Sequence, residues 1–174
     1  MKMEYLEILL TDVKKQYIDS IVKQELKITT DLVASSHFYD KVENKDMEYY
    51  DDIYLERYFS TPNTANVFVK ELVLGESIKN VMIVISYDAN LGDITLNFSE
   101  SDFMTDNIDI LRAKIISIVN RLIEIESKYE IGSIRLGYES TIDDENVILD
   151  ISNGNIVIAN EFQGQLSHAV KQLY

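Results

Sequence analysis

Side chains able to exchange a proton near neutral pH are scarce in this sequence. His37 and His168 are the only histidines. An imidazole is the usual general base or metal ligand at this pH, but these two are far apart along the chain. His37 stands beside Phe38 at the start of an aromatic stretch and His168 near the end of a helical pattern, so a surface or packed ring is the plainer reading of each. The absence of cysteine excludes a disulfide framework, a thiol nucleophile and a thiolate metal site. No nucleophile elbow, phosphate loop, dinucleotide glycine pattern or paired-histidine metal helix occurs. Two acidic turns offer oxygen ligands: Asp88, Asn90 and Asp93 at alternating offsets, and Asp143, Asp144 and Glu145 in a row. A hard cation needs several oxygens in a closed geometry, and the first turn lacks the terminal bidentate glutamate of a calcium loop. The ordinary turn preference of Asp and Asn explains both. The expectation is a protein without catalytic residues, metal or cofactor.

Binding chemistry is better represented. From Ser36 to Asn63, Phe38, Tyr39, Tyr49, Tyr50, Tyr54, Tyr58 and Phe59 are interleaved with Asp40, Glu43, Asp46, Glu48, Asp51, Asp52 and Glu56. Tyrosine carries a large apolar body with a polar tip, a combination enriched at interfaces, and carboxylates set the sign of a partner. The candidate contacts are Tyr49, Tyr50, Asp51, Asp52, Tyr54, Glu56 and Tyr58, with rings as anchors and acids to steer and pair with Lys or Arg. Met47, Tyr50, Tyr54 and Tyr58 would line one side of a short helix that Pro62 stops. The competing reading is a cover over one sheet face, its acids merely solvated.

The elements that must hold this stretch are read from hydrophobic period. Ile108, Leu111, Ile115, Ile118, Leu122, Ile125 and Tyr129 recur in steps of three and four, which predicts a helix over Thr105 to Tyr129 with a broad apolar face suited to a sheet. Gly132 is placed to end it in a left-handed turn. Residues 3 to 28 read as an amphipathic helix through Leu6, Leu9, Leu10, Val13, Tyr17, Ile21 and Val22; alternatively, Thr11-Asp12 caps a shorter helix and leaves Glu4 to Leu10 extended. Asn66 to Leu74, Asn80 to Tyr87 and Leu91 to Ser99 read as strands joined by short polar turns, an antiparallel meander. Ser133 to Glu139 alternates again. Asn153-Gly154 suits a two-residue turn that pairs Ile151 with Ile156 and Leu149 with Ile158. Asn160 to Leu173 reads as a final helix, capped by Asn160 and buried through Phe162, Leu166, Val170 and Leu173. The fold expected is one α+β domain over 1–174: a mainly antiparallel sheet of about six strands (meander 66–99, then 133–139, 145–151 and 155–159), packed by a long central helix 105–130 and by helices at both termini.

Charge narrows the function. Thirty acids against sixteen bases give a net charge of −14 over 174 residues, with a pI near 4.4. Such a surface repels phosphate backbones and anionic lipid and attracts basic proteins. Direct nucleic-acid binding and membrane association are therefore not expected. Without a secretory pattern or an apolar run of about 20 residues, the cytoplasm is the expected compartment. The leading reading is a stoichiometric binding protein that docks on a basic partner. At the level of class, with no shared residue motif, this resembles bacterial immunity proteins, which neutralise toxins or nucleases by steering and charge complementarity. A phage-encoded inhibitor of a host nuclease or defence enzyme is a close variant. The other readings are an oligomeric structural or assembly protein and an enzyme with a motif-free site.

Overall fold

The chain is described by a computed structural model over residues 4–48, 58, 61–138, 146–158 and 165–171. The strands are β1 (Tyr5–Lys14), β2 (Val33–Asp40), β3 (Lys45–Met47), β4 (Asn63–Leu74), β5 (Glu76–Tyr87), β6 (Leu91–Ser99), β7 (Ser133–Tyr138), β8 (Val147–Ser152) and β9 (Asn155–Ile158). They form one nine-stranded sheet in the order β3-β2-β4-β5-β6-β1-β7-β8-β9, with every neighbouring pair antiparallel. This overturns the expected six-stranded sheet packed by a long central helix and two terminal ones. The sheet is the body of the molecule, and the helices are additions to it: α1 (Lys15–Ser20) with a π-helical turn at Ile21–Glu25, α2 (Glu100–Phe103), α3 (Ile108–Tyr129) and α4 (Gln165–Lys171).

The largest correction is at the amino terminus, where a strand replaces the first part of the expected helix. This is nearer to the alternative with Glu4 to Leu10 extended, and helical backbone remains over Lys15–Ser20 and Ile21–Glu25. Leu6, Leu9, Leu10 and Val13 satisfy a helical period, but Leu6, Ile8 and Leu10 also satisfy a period of two. The second pattern prevails because β1 lies inside the sheet, hydrogen-bonded to β6 on one side and β7 on the other. Leu9 and Glu7, on the opposite face, are buried as well, so the strand is covered on both faces, as interior strands are. Thr11-Asp12 does not cap a helix. The register with β6 shifts between Leu10 and Val13, and Asp12 takes a left-handed φ of 56°, as in a β-bulge. The other two unexpected strands, β2 and β3, lie at the sheet's edge.

Register explains where the core sits. Val67, Ile83, Leu96, Ile8, Leu136, Leu149 and Ile158 are successive cross-strand partners from β4 to β9. All but Ile158 are buried. The row on the opposite face is Asn66, Val84, Thr95, Leu9, Arg135, Asp150 and Val157, which is mixed in character and mostly half-exposed. One face is thus core and the other largely open to solvent. The helix α3 contacts β4, β5, β7, β8 and α4. Its buried stripe comprises Leu111, Ile115, Ile118, Val119, Leu122, Ile125, Glu126 and Tyr129. Asn107 caps its start by accepting from the amides of Asp109 at 3.0 Å and Ile110 at 3.2 Å. Its end is not made by Gly132: Glu130 takes the left-handed conformation at φ 51°. Gly132 is needed for space instead, since a Cβ there would lie 2.7 Å from Cβ of Asp12.

Candidate functional site

Alternating strand direction brings one set of connections to the same end of the sheet. The β2–β3 turn, the start of β4, the β5–β6 turn, the end of β1, the start of β7 and the β8–β9 turn line up there, by the registers of the paired strands. Carboxylates collect along this rim because tight turns favour Asp and Asn. Asp40 is buried and accepts from the amides of Val42 at 2.8 Å and Glu43 at 3.2 Å. Asp88 accepts from those of Asn90 at 3.0 Å and Leu91 at 3.1 Å; these bonds hold its carboxyl below the usual range. Asp93 is shifted the other way. Burial raises it, the charges of Asp12 and Asp88 add to the rise, and the amide of Asp12, 3.2 Å away, opposes it. Asp88 and Asn90 thus serve as turn residues, and among the described residues no group of three or more His, Asp or Glu side chains could hold a metal ion. The second acidic turn, Asp143 to Glu145, lies outside the described residues.

The acidic-aromatic stretch is fastened to this rim at its flanks. Met47, in the edge strand β3, is buried opposite Phe38. Tyr58 is fully buried and packs edge-on against Phe38 at 5.3 Å and Tyr87 at 5.2 Å. Its hydroxyl donates to the carbonyl of Ile85 at 2.8 Å, and burial pushes its pKa up. The hydroxyl of Tyr87 meets the carbonyls of Tyr58 and Thr61, and burial pushes its own pKa up to about 12. Tyr58 is therefore a rivet of the core and not the exposed anchor expected of it. Tyr49, Tyr50, Asp51, Asp52, Tyr54 and Glu56 lie outside the described residues. His37 is exposed on β2, its Nε2 3.4 Å from Nδ2 of Asn66. His168 falls within α4 on the far side of the sheet order from His37.

Two glutamates that the sequence reading passed over proved the most informative. Glu25, 5% exposed, accepts from Lys128 at 2.6 Å, from the hydroxyl of Tyr129 at 2.7 Å and from Arg121. Burial would raise its pKa, but the hydrogen bonds from Lys128 and Tyr129 and the charges of Arg121 and Lys128 hold it below the ordinary value. Glu126, 6% exposed, lines a pocket of about 520 Å³ between the end of α3 and the β8–β9 turn. A signal for both was present: Ile21 and Glu25, like Ile118, Leu122 and Glu126, are four residues apart, which places a carboxylate on a buried stripe.

Residues 4–154 match the family model described as PABL017 Cdi1I immunity protein. The fold is similar to that of a chain in the 1.75 Å crystal structure of the toxic C-terminal tip of CdiA from Pseudomonas aeruginosa in complex with immune protein, with a TM-score of 0.69. That alignment covers 92% of this chain and 100% of the other at 11% identity, so the likeness speaks for the fold alone. No curated protein matches the sequence.

Proposed function

The chain belongs to the PABL017 Cdi1I immunity protein family and neutralises a toxin, and we propose that it does so by laying its acidic rim on a basic surface of that toxin. The family match over residues 4–154 carries the reading; charge supplies the mode. A net charge of −14 steers a basic partner toward the protein and raises the association rate, by roughly tenfold to a thousandfold for strongly steered pairs. The partner is the toxic C-terminal tip of a CdiA protein, as in the structure with the similar fold. A toxin that acts on a polyanionic substrate, as a nuclease does, would present such a basic surface. The protein acts as a plug and not a catalyst, in the cytoplasm of the cell it protects. No helix among the described residues is long and apolar enough to cross a membrane.

The contacts assigned to the partner are Tyr49, Tyr50, Asp51, Asp52, Tyr54 and Glu56. Two features support this choice. The stretch is bounded by the buried Met47 and Tyr58, so its ends are tethered beside the rim. It also concentrates carboxylates in a short span of sequence. The test is a triple reversal of Asp51, Asp52 and Glu56 to lysine. Association with the toxin should slow by about tenfold or more at low salt, and thermal unfolding should barely change. If the variant unfolds, the stretch is structural; if it binds as before, the contacts lie elsewhere.

A further inference from the structure

Glu126 presents an unusual electrostatic situation for a carboxylate. It is 6% exposed, yet its side chain has no hydrogen-bond or ion-pair partner among the described residues. The cations on the same helix and beside its end are engaged elsewhere: Arg121 and Lys128 with Glu25, and Lys14 with Glu130. Its oxygens are not among the side-chain atoms that are both fully buried and unpaired, so they open onto the adjoining pocket, where a charge with little solvent around it gains from a counter-charge. Folding alone gives no reason to keep it, since Gln of nearly the same shape would carry no charge.

The surroundings point to what would relieve it. Glu126 lines the pocket of about 520 Å³ together with Ser127, Glu130, Gly132, Asn153 and Gly154. This pocket sits at the carboxyl end of α3, where the helix dipole is negative and a cation is favoured. Ser127 and Asn153 add side-chain oxygens able to accept hydrogen bonds. Lys14 screens only Glu130, and both of those side chains are exposed. A planar group with several donors and a positive charge satisfies such a set better than a compact ammonium.

We propose that this pocket receives an arginine side chain of the toxin, with Glu126 as the buried anion that pairs with its guanidinium. The assignment rests on the immunity reading and adds a specific contact to it. The pocket belongs to the same rim as the tethered stretch: Tyr87, against which Tyr58 packs, and Ser152, which precedes the β8–β9 turn, end strands four spacings apart, or about 19 Å. One docked toxin domain can span that distance.

The test uses the whole protein and two readouts. In the first, N-methylguanidinium is titrated into the free protein while backbone amide resonances are followed, with methylammonium and magnesium chloride as parallel probes. The expected result is a saturable shift at Ser127, Gly132 and Gly154 with N-methylguanidinium, weaker with methylammonium, and lost in Glu126→Gln. No saturable shift at these amides in the wild type, an equal shift in Glu126→Gln, or a preference for magnesium overturns the proposal. In the second, Glu126→Gln is measured against the toxin. Dissociation should accelerate by on the order of 30-fold or more, the loss typical of removing one partner of a buried charge pair at an interface. Wild-type protein that binds the toxin and is matched by Glu126→Gln removes the pocket assignment and leaves the immunity reading intact. Failure of the wild type itself to bind would count against that broader reading, and the first readout still decides the pocket.

Discussion

On one side of α3 a buried carboxylate, Glu25, is met by Lys128, Tyr129 and Arg121; on the other, Glu126 is just as buried and meets none of them. Helical periodicity separates the two, since Arg121 and Lys128 share one side while Ile123, Glu126 and Glu130 share the opposite one. The first carboxylate closes the fold. It ties the π-helical turn Ile21–Glu25 to a helix nearly a hundred residues later, beside the edge-to-face pair of Tyr17 and Tyr129 at 5.5 Å. The second closes nothing among the described residues. A charge that has its partners at home is structural; a charge that faces a pocket without them is open to a partner from outside.

Removing Glu25 is the strongest way to break this contrast. Glu25→Leu strands two cations and a hydroxyl, and a fully buried pair broken this way loses about 3–5 kcal/mol. Arg121 and Lys128 still reach water, with side chains 30% and 56% exposed, so about 2 kcal/mol is the expected loss by denaturant unfolding. Toxin affinity should not change, because the site lies away from the pocket. A change in affinity with no change in stability would reverse the roles assigned to the two glutamates.

A pH series sharpens the same point. The folded-state pKa of Glu25 is depressed, so its contribution to stability is complete above the ordinary glutamate value of 4.5 and is lost as pH falls through the folded value. The stability difference between wild type and Glu25→Gln should be constant above pH 4.5 and shrink below it. A difference that grew on acidification would mean that the carboxylate is not held ionised by its neighbours.

The smallest expected effect on stability is at Glu126. Glu126→Gln should unfold within about 0.5 kcal/mol of wild type, or slightly above it, because the carboxylate opens onto a pocket and the change breaks no bond among the described residues. A loss comparable to that of Glu25→Leu would show that Glu126 supports the fold after all.

How legible these features were in the sequence depended on whether a local rule had a competitor. The β8–β9 hairpin was readable because Asn153-Gly154 needs two left-handed residues, found at φ 51° and 72°. That turn fixed the pairing of Ile151 with Ile156 and Leu149 with Ile158. The alternation of Ile94, Leu96 and Phe98 was readable for the same reason, with one buried face and one half-exposed. The amino-terminal strand was not, because Leu6 to Val13 fits both periods and only the pairing with β6 and β7 decides between them. The strands β2 and β3 were hidden by exposed polar residues such as Ser35, Lys45 and Asp46. Tyr58 was misjudged because a tyrosine among acids looks like a surface residue, and its burial depends on Phe38 and Tyr87 from other strands. The charge balance, by contrast, needed no fold, and it led to the immunity reading that the family match supports.

We propose that this acidic protein stops its toxin by electrostatic docking. The most direct test of this is the association rate of the purified protein with its toxin, measured from low to high salt. The account predicts a one-to-one complex whose association rate falls steeply as salt rises while its dissociation rate changes little. An association rate indifferent to salt, or no complex at all, would contradict it.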